Sequence, residues 1–271
     1  MVGPGVAMSL PTFVTDDPFS APGNVTLGED AAHHMRVRRL ETGVRVGLVD
    51  GAGMRGEGVL TQLAKRHAIV SIETAEAVEP AAPIHLLLPV ADKDRMLWLA
   101  EKVTELELAS WRPVSYRRSK NVTPRGEGST FQQKVRMRMA AALEQSRGEF
   151  LPVLYPEAAV GHAIAARPAG ACLVMQQGGR PIFEALTPLI AAARERGAPL
   201  PAVTLAVGPE GGFEPTELED FEAAGFVPVT LGRNILRFET AAQSGLAAVR
   251  AMLELVTDRS STVKNLDWRD R

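Results

Sequence analysis

The fold of the second half of the chain is decided by the stretch Val203-Thr204-Leu205-Ala206-Val207-Gly208-Pro209-Glu210-Gly211-Gly212-Phe213. Its apolar and β-branched first half, residues 203–207, predicts a short strand that is buried on both faces. The glycines after that strand predict a tight turn in which the backbone can approach a ligand closely. A helix is predicted to begin near Pro215, with acidic residues in and around its first turn. The same residue types are also typical of an ordinary strand-to-helix turn, so this stretch alone leaves a ligand site open.

Short apolar runs alternate with amphipathic helical patterns around this stretch. Buried strands are predicted at 84–88, 152–154, 173–175, 203–207 and 227–230. The helix after the first of them carries its apolar residues on one face, namely Met96, Leu99, Ala100, Val103 and Leu106. Strands separated by helices predict an α/β domain with a mostly parallel sheet that is covered on both faces. Ligands of such sheets bind at the carboxyl ends of the strands.

The first 80 residues follow a different pattern. Alternating runs at 44–49 and 68–72, with glycine-rich turns between them, predict a small antiparallel barrel. Residues 76–83 contain two prolines and lack periodicity, which is typical of a linker. The sequence therefore predicts two domains, 1–80 and 81–271.

Composition limits the classes of protein to consider. The chain has 271 residues, 45% of them hydrophobic, and a formal net charge of −2, so contact with nucleic acid would need a local basic patch. The single cysteine, Cys172, lies in an apolar run and is predicted to pack in the core. Residues 1–10 lack the basic flank of a signal peptide, and no apolar run approaches the roughly 18 residues that span a bilayer. We therefore expect a cytoplasmic protein.

A dinucleotide-binding motif is one alternative. The stretch Gly51-Ala52-Gly53-Met54-Arg55-Gly56 fits the glycine fingerprint, and Glu73 lies downstream where a ribose-binding acid would be sought. The fingerprint requires its third glycine to open a crossover helix, yet only residues 57–67 precede the next strand and Gly58 interrupts them. A hairpin turn in the barrel is therefore the favoured interpretation.

A segment with several polar residues follows the strand at 227–230. It reads Leu231-Gly232-Arg233-Asn234-Ile235-Leu236-Arg237-Phe238-Glu239-Thr240-Ala241-Ala242 and leads into an alanine-rich helix. Arg237, Glu239 and Thr240 stand at the start of this helix, where polar side chains cap helix amides or reach a ligand. Both roles remain open at this point.

Together these segments resemble the cofactor signature of the RsmE family, which belongs to the SPOUT methyltransferases. The shared features are the Gly-Pro-Glu-Gly-Gly loop at 208–212, the Leu-Gly strand end at 231–232 and the Ile-Leu-Arg-x-Glu-Thr-Ala helix start at 235–241. Three further segments are similar to the family in order along the chain: 33–40, 102–106 and 142–147. The similarity extends over residues 32–248, and Phe238 departs from it, since threonine is common at that position.

The resemblance implies a PUA-like β-barrel that binds RNA, followed by an α/β domain of the SPOUT type with a trefoil knot, which periodicity alone could not indicate. It implies methylation of N3 of a uridine in small-subunit (16S) ribosomal RNA, with S-adenosylmethionine as donor and no metal. It also implies a homodimer in which one subunit completes the site of the other.

The resemblance assigns roles to individual residues. The donor is expected to contact Met175, Gln176, Gly208, Pro209, Glu210, Gly211, Gly212, Leu231, Gly232, Ile235, Leu236 and Thr240. Arg237 is expected to stabilise negative charge on the base, and Glu239 to assist proton removal. The basic runs of the sequence, together with the family-like segment at 142–147, predict where the RNA binds: at His34, Arg36, Arg38, Arg39, Arg117, Arg118, Gln145 and Arg147, with further charge at Lys65, Arg66, Lys120 and Arg125. Tyr116 is a candidate for stacking on a base.

Three hypotheses therefore stand, and they differ in what they bind. A methyltransferase requires S-adenosylmethionine bound by residues after 200, and a nicotinamide-dependent oxidoreductase requires a dinucleotide bound before residue 80. A non-catalytic RNA-binding protein requires no small ligand. The resemblance favours the methyltransferase. Basic runs taken alone are more often solvated surface than RNA contacts.

Overall fold

The computed structural model describes residues 10–119 and 128–254. These residues form two compact units. The first unit consists of residues 10–81, 91–111 and 128–155, and the second of residues 82–90, 112–119 and 156–254. The division into domains near residue 80 stays a prediction.

The amino-terminal part of the first unit is a five-stranded sheet. Its strands are β1 (Thr12–Val14), β2 (Gly23–Leu27), β3 (Arg45–Val49), β4 (Met54–Leu63) and β5 (Ala68–Ala77), and helix α1 (Glu29–Val37) follows β2. The strand order is β1-β3-β4-β5-β2, and all pairs are antiparallel except β1 with β3. The expected barrel is thus a half-barrel sheet with one parallel pair. Its core includes Phe13, Met35, Leu48 and Leu60.

The glycine fingerprint forms the predicted hairpin turn. Strands β3 and β4 pair directly as antiparallel neighbours, and Gly51 and Gly53 between them have φ values of 71° and 105°. Gly56 lies within β4, where an added Cβ would stand 2.4 Å from the carbonyl oxygen of Thr74. Glu73 pairs with Arg45 at 3.1 Å. The hairpin interpretation is confirmed, because these glycines serve strand pairing and open no crossover helix.

Two helices complete the first unit. Helix α2 (Lys93–Glu105) begins at Asp92, whose carboxylate accepts hydrogen bonds from the amides of Asp94 and Arg95 at 3.0 Å. Four of the five predicted apolar residues are buried, namely Met96, Leu99, Ala100 and Val103, while Leu106 caps the end of the helix. Helix α3 (Ser129–Ser146) packs against α2 and ends at Arg147, which adopts a left-handed conformation.

The second sheet has the predicted alternation of strands and helices. Its strands are β6 (Ile84–Pro89), β7 (Ser110–Ser115), β8 (Val153–Leu154), β9 (Ala158–Ala159), β10 (Ala171–Pro181), β11 (Val203–Ala206) and β12 (Val227–Thr230). The order is β12-β10-β11-β6-β7-β8, with β9 beside β7, and the pairs of β10 with β11 and β12 and of β11 with β6 are parallel. The helices are α4 (Val160–Ala165), α5 (Ile182–Glu195), α6 (Pro215–Ala223) and α7 (Phe238–Glu254).

Alternate residues of the strands face different layers of the second unit. Gly245 of α7 packs against Leu205 of β11, whereas the next residue, Ala206, belongs to the core shared with Phe221 of α6. Cys172 is buried in this second core, as predicted. The expected α/β fold with a parallel sheet and an amino-terminal barrel-like sheet is confirmed, while the threading of a knot stays a prediction. Within the described residues, no helix is both long and apolar enough to cross a membrane.

One strand is longer than predicted. The pattern placed its end at Met175, but β10 continues to Pro181 after a register shift between Met175 and Arg180. Gly178 has a φ of 80°, and an added Cβ on Gly179 would stand 2.6 Å from the amide nitrogen of Val229. The two glycines therefore allow residues 176–179 to leave the ladder and return to it.

Candidate active site

Three strand ends meet in the second unit. Because β10 lies between β11 and β12, the segments that follow these neighbouring parallel strands converge at one edge of the sheet. They enclose a cavity of about 400 Å³. Its lining consists of Arg118, Met175, Gln176, Gln177, Val207, Gly208, Pro209, Glu210, Gly211, Gly212, Phe213, Val229, Thr230, Leu231, Asn234, Ile235, Leu236, Phe238 and Ala241.

The loop at 208–212 forms one wall through its backbone. The amide of Gly212 donates to the carbonyl oxygen of Pro209 at 2.8 Å and closes a tight turn, and Gly212 has a φ of 72°. An added Cβ on Gly208 would stand 2.9 Å from the ring of Phe213. Phe213 is itself buried and meets Tyr116 edge to face at 5.2 Å. The loop is therefore folded over an aromatic side chain that anchors it in the core.

Charged groups also hold the same loop. The Nε of Arg118 donates to Oε1 of Glu214 at 2.6 Å, and its NH1 group donates to the carbonyl oxygen of Gly211 at 3.3 Å. Glu217 is only 3% exposed and accepts hydrogen bonds at 2.8 Å from the amides of Arg117 and Glu214. Arg118 is thus engaged within the second unit.

The opposite wall is apolar. Ile235 is 81% exposed and Leu236 37% exposed, which is unusual for large apolar side chains. Both line the cavity with Leu231, in the segment that connects β12 to α7. Apolar side chains exposed at a concave surface are typical of a wall that a ligand covers.

Most residues that the signature assigned to the donor are brought together here. Met175, Gln176, Gly208, Pro209, Glu210, Gly211, Gly212, Leu231, Ile235 and Leu236 all line the cavity. Two assigned residues do not. Gly232 lies in a neighbouring hollow with Gly179 and Phe183, and Thr240 is exposed on α7. Phe238 and Ala241 face the cavity, and helical periodicity turns the intervening Thr240 away from it.

The two candidate catalytic residues lie beside the cavity and do not line it. Arg237 is exposed, and its carbonyl oxygen accepts from the amide of Ala241 at 2.8 Å, so it stands at the start of α7. Glu239 is half-buried in the first turn. Sequence reasoning missed Phe238 and Ala241 as lining residues, although their spacing of three in the predicted helix would have placed both on one face.

Some of the residues assigned to RNA cluster around a carboxylate in the first unit. Glu144 of α3 accepts the amide of Val14 at 3.1 Å, and its other oxygen lies 3.3 Å from Nδ1 of His34. Burial raises the pKa of Glu144, while the Val14 amide and the nearby His34 and Arg38 oppose that shift. This carboxylate therefore fixes His34 and attracts Arg38 at the surface of the unit.

The other residues of that set have separate surroundings. Arg36 donates to the carbonyl oxygen of Ala64 at 2.9 Å, so its guanidinium already has a backbone partner. Arg39 has a φ of 56° after α1, and Gln145 is exposed at the end of α3. Arg147 lines a second cavity, of about 650 Å³, against the sheet of the first unit. Arg117 exposes its side chain, and Lys120 and Arg125 lie outside the described residues.

The stacking role expected for Tyr116 is wrong. Its side chain is 4% exposed and packs against Phe213 and Phe221, so no base can reach the ring. Burial, together with the charge of Glu217, raises the pKa of its hydroxyl. The sequence did not reveal this because a tyrosine beside arginines is equally compatible with a core and with a surface. Among the described residues, no cluster of His, Cys, Asp or Glu is arranged to hold a metal ion.

The second unit has a parallel sheet with a cavity at three converging strand ends, and a barrel-like sheet precedes it in the chain. These two features define an α/β protein with two kinds of unit. Comparison with known families specifies the class. Residues 78–250 match the family described as an RNA methyltransferase domain, and residues 27–73 match an RNA methyltransferase PUA domain. Since the first match covers more than half of the chain, the protein belongs to this family of RNA methyltransferases.

Individual relatives agree with this assignment. Ribosomal RNA small subunit methyltransferase E of Synechocystis sp. is 29% identical over 85% of this chain and 74% of its own length. The protein of the same name from Mycobacterium tuberculosis is 27% identical over 82% of this chain and 84% of its own. The predicted membership of the RsmE family is confirmed.

Solved structures share the fold. The crystal structure of the Neisseria gonorrhoeae methyltransferase E bound to S-adenosyl methionine superposes with a TM-score of 0.76 and 25% identity, over 90% of this chain and 98% of that one. A probable rRNA methyltransferase from Porphyromonas gingivalis superposes with a TM-score of 0.71 and 24% identity, over 91% and 99% of the two chains.

Proposed function

We propose that this protein transfers a methyl group from S-adenosylmethionine to N3 of a uridine in small-subunit (16S) ribosomal RNA. The observation that carries the proposal is the cavity at the ends of β10, β11 and β12, which the signature loops of an RNA methyltransferase family enclose. The Neisseria gonorrhoeae relative, whose fold this chain shares, is bound to S-adenosyl methionine.

The cavity suits such a donor in size and chemistry. Its volume of about 400 Å³ lies within the range of roughly 300–1,000 Å³ that is usual for small-molecule sites. Leu231, Ile235 and Leu236 offer apolar surface to an adenine ring, and the turn at 208–212 offers backbone groups that a side chain would otherwise cover. When it is bound, S-adenosylmethionine supplies an electrophilic methyl group on a sulfonium.

Two residues beside the cavity can assist the reaction of the methyl acceptor, the uridine. N3 of a uridine must lose its proton before it can attack a methyl carbon, and negative charge then develops on the pyrimidine carbonyl oxygens. The guanidinium of Arg237 is exposed at the start of α7, where it can donate hydrogen bonds to those oxygens. Glu239, two residues further along in the first turn of α7, is the candidate to accept the proton.

Recognition of the RNA is proposed for the first unit. His34 and Arg38 lie around Glu144 on its surface, and Arg39 and Arg147 add positive charge that phosphates attract. N3 is engaged in a base pair when uridine is paired, so the target must be unpaired or turned out of its stack. The small ribosomal subunit is the proposed context, and a cytoplasmic location follows from that substrate.

The domain boundary near residue 80 remains part of the proposal.

A homodimer is also proposed. Helix α5 exposes Phe183 and Leu189, which are 56% and 43% accessible. Apolar side chains of this size on a helix surface favour contact with another protein surface. Burial of this face by a second copy would agree with the dimer that the family resemblance implies.

The test is transfer of an isotopically labelled methyl group from S-adenosylmethionine to purified 16S rRNA and to small subunits. We expect the label in a single nucleoside, which mass spectrometry identifies as 3-methyluridine. Large-subunit RNA is the matched control substrate. Absence of transfer to either form of the small-subunit RNA, or methylation at carbon 5 or the ribose, would contradict the proposal.

A further inference from the structure

Among the described residues, Arg118 is the only lysine or arginine that lines the cavity, and its guanidinium is bonded to the loop and to the residue before α6. Its two hydrogen bonds go to the carboxylate of Glu214 at 2.6 Å and to the carbonyl oxygen of Gly211 at 3.3 Å. One side chain therefore ties a residue of the turn to the residue that precedes α6.

The backbone around Arg118 is fixed as well. The amide of the preceding residue, Arg117, donates to the buried carboxylate of Glu217 at 2.8 Å. The other oxygen of that carboxylate accepts the amide of Glu214, also at 2.8 Å. Tyr116 packs against Phe213, which follows the loop directly. The short segment at 116–118 thus contacts the carboxyl-terminal end of the loop and the residues that lead into α6.

The fit between Arg118 and the turn is close. A Cβ added to Gly211 would stand 3.1 Å from the Cβ of Arg118 and 3.2 Å from its carbonyl oxygen. The carbonyl group of Gly211 is therefore held in one orientation, with the amide that follows it fixed by the same peptide plane. Both groups are bonded within the protein, the carbonyl group to Arg118 and the amide of Gly212 to the carbonyl oxygen of Pro209, so together they fix the turn that forms the cavity wall.

We propose that Arg118 is a positioning residue for the methyl donor, which sets the conformation of the loop at 208–212, and is not a contact for RNA. The inference rests on the proposed function, since it assumes that the cavity takes S-adenosylmethionine. It replaces the role that the basic run had assigned to this arginine.

The type of side chain matters for this role. A guanidinium presents several N–H donors in a rigid plane, so it can serve a carboxylate and a carbonyl group together, whereas a lysine ammonium acts as a point charge. The side chains of Arg118 and Glu214 remain 45% and 33% exposed, so their ion pair adds little to global stability. The effect of Arg118 should therefore appear in donor affinity and leave the unfolding midpoint in place.

The test compares Arg118→Gln and Arg118→Lys with the wild-type protein. Calorimetric titration without RNA measures the dissociation constant for S-adenosylmethionine, and filter binding measures affinity for 16S rRNA. We expect Arg118→Gln to weaken donor binding about tenfold, with Arg118→Lys between it and the wild type. The KM for the donor should rise while kcat at saturating donor and affinity for RNA stay unchanged.

Arg117→Ala is the matched control, because it removes the same charge from the neighbouring position while its backbone amide keeps the bond to Glu217. Its donor affinity should equal that of the wild type. In a double-mutant cycle, Glu214→Gln should weaken donor binding less in the Arg118→Gln background than in the wild-type protein.

Three results would overturn the inference. In the first, Arg118→Gln loses affinity for RNA while its donor binding is unchanged. In the second, neither affinity changes. In the third, donor affinity, kcat and the unfolding midpoint all fall together. Failure of the wild-type protein to bind S-adenosylmethionine would instead refute the proposed function, so the two failures can be told apart.

Discussion

Gly245 of α7 lies so close to Leu205 of β11 that a Cβ added to the glycine would stand 2.7 Å from Cδ2 of the leucine. The same Cβ would lie 3.6 Å from the sulfur of Met175, which lines the cavity. The helix that begins at the catalytic candidates is thus seated directly on the strand that leads into the glycine loop.

Gly245→Val should therefore both destabilise the protein and weaken donor binding. Overpacking in a buried contact of this kind costs about 1–3 kcal/mol. Chemical denaturation measures the free energy of unfolding, and calorimetry measures donor affinity. Gly161→Val in α4 is the matched control, because an added Cβ there meets nothing within 4 Å. Equal stability of the two variants would contradict the close packing of α7 on β11.

Arg237→Ala should lower turnover far more than donor affinity. Arg237 is exposed beside the cavity and does not line it, so its loss leaves the donor-binding walls intact. Removal of a hydrogen-bond donor that stabilises developing negative charge typically lowers kcat by a factor of about 10²–10³. Single-turnover methyl transfer at saturating donor measures this step. A collapse of donor affinity with normal turnover at saturation would refute the assigned role.

Glu144 gives the stability of the first unit a specific dependence on pH. Burial raises the pKa of its carboxyl group in the folded protein above the ordinary value of 4.5. The folded state then binds more protons than the unfolded state, so the contribution of Glu144 is fully present below that value and is lost as pH rises through the folded pKa.

The difference in the free energy of unfolding between the wild type and Glu144→Gln should therefore shrink, or change sign, as pH rises from about 4 towards about 8. Chemical denaturation of both proteins in buffers of different pH measures this difference. His34→Gln removes a charge that opposes the shift, so in that background the decline should extend to higher pH. A difference that grows with pH would show that the ion pair with His34 outweighs burial.

Much of the fold could be predicted because its signals are local. Runs of apolar residues identified the strands at 84–88, 203–207 and 227–230, and helical periodicity identified the buried face of α2. The local pattern of the glycine loop left its role open, and the resemblance of its short motif to the RsmE family predicted it as part of the donor site. The hairpin at Gly51 and Gly53 could be separated from a dinucleotide site because the chain before the next strand is short and Gly58 interrupts it.

What the sequence could not indicate depends on contacts between distant residues. The continuation of β10 past Met175 depends on how Gly179 passes the backbone of Val229, which no local pattern encodes. Tyr116 and Arg118 both lie in a basic run, yet one is buried against Phe213 and the other bonds to Glu214, 96 positions away. Their roles follow from the loop that they meet and not from their neighbours in sequence.

The central claim, that S-adenosylmethionine binds at the loop 208–212, is tested most directly by calorimetric titration of the wild-type protein, Gly211→Val and the control Gly161→Val. The Cβ of a valine at 211 would stand 3.1 Å from the Cβ of Arg118, and the two methyl groups beyond it add bulk at this tight contact in the cavity wall. We predict binding to the wild type and the control with equal affinity, and at least about tenfold weaker binding to Gly211→Val. Undiminished binding to Gly211→Val, or no binding to the wild type, would contradict the account.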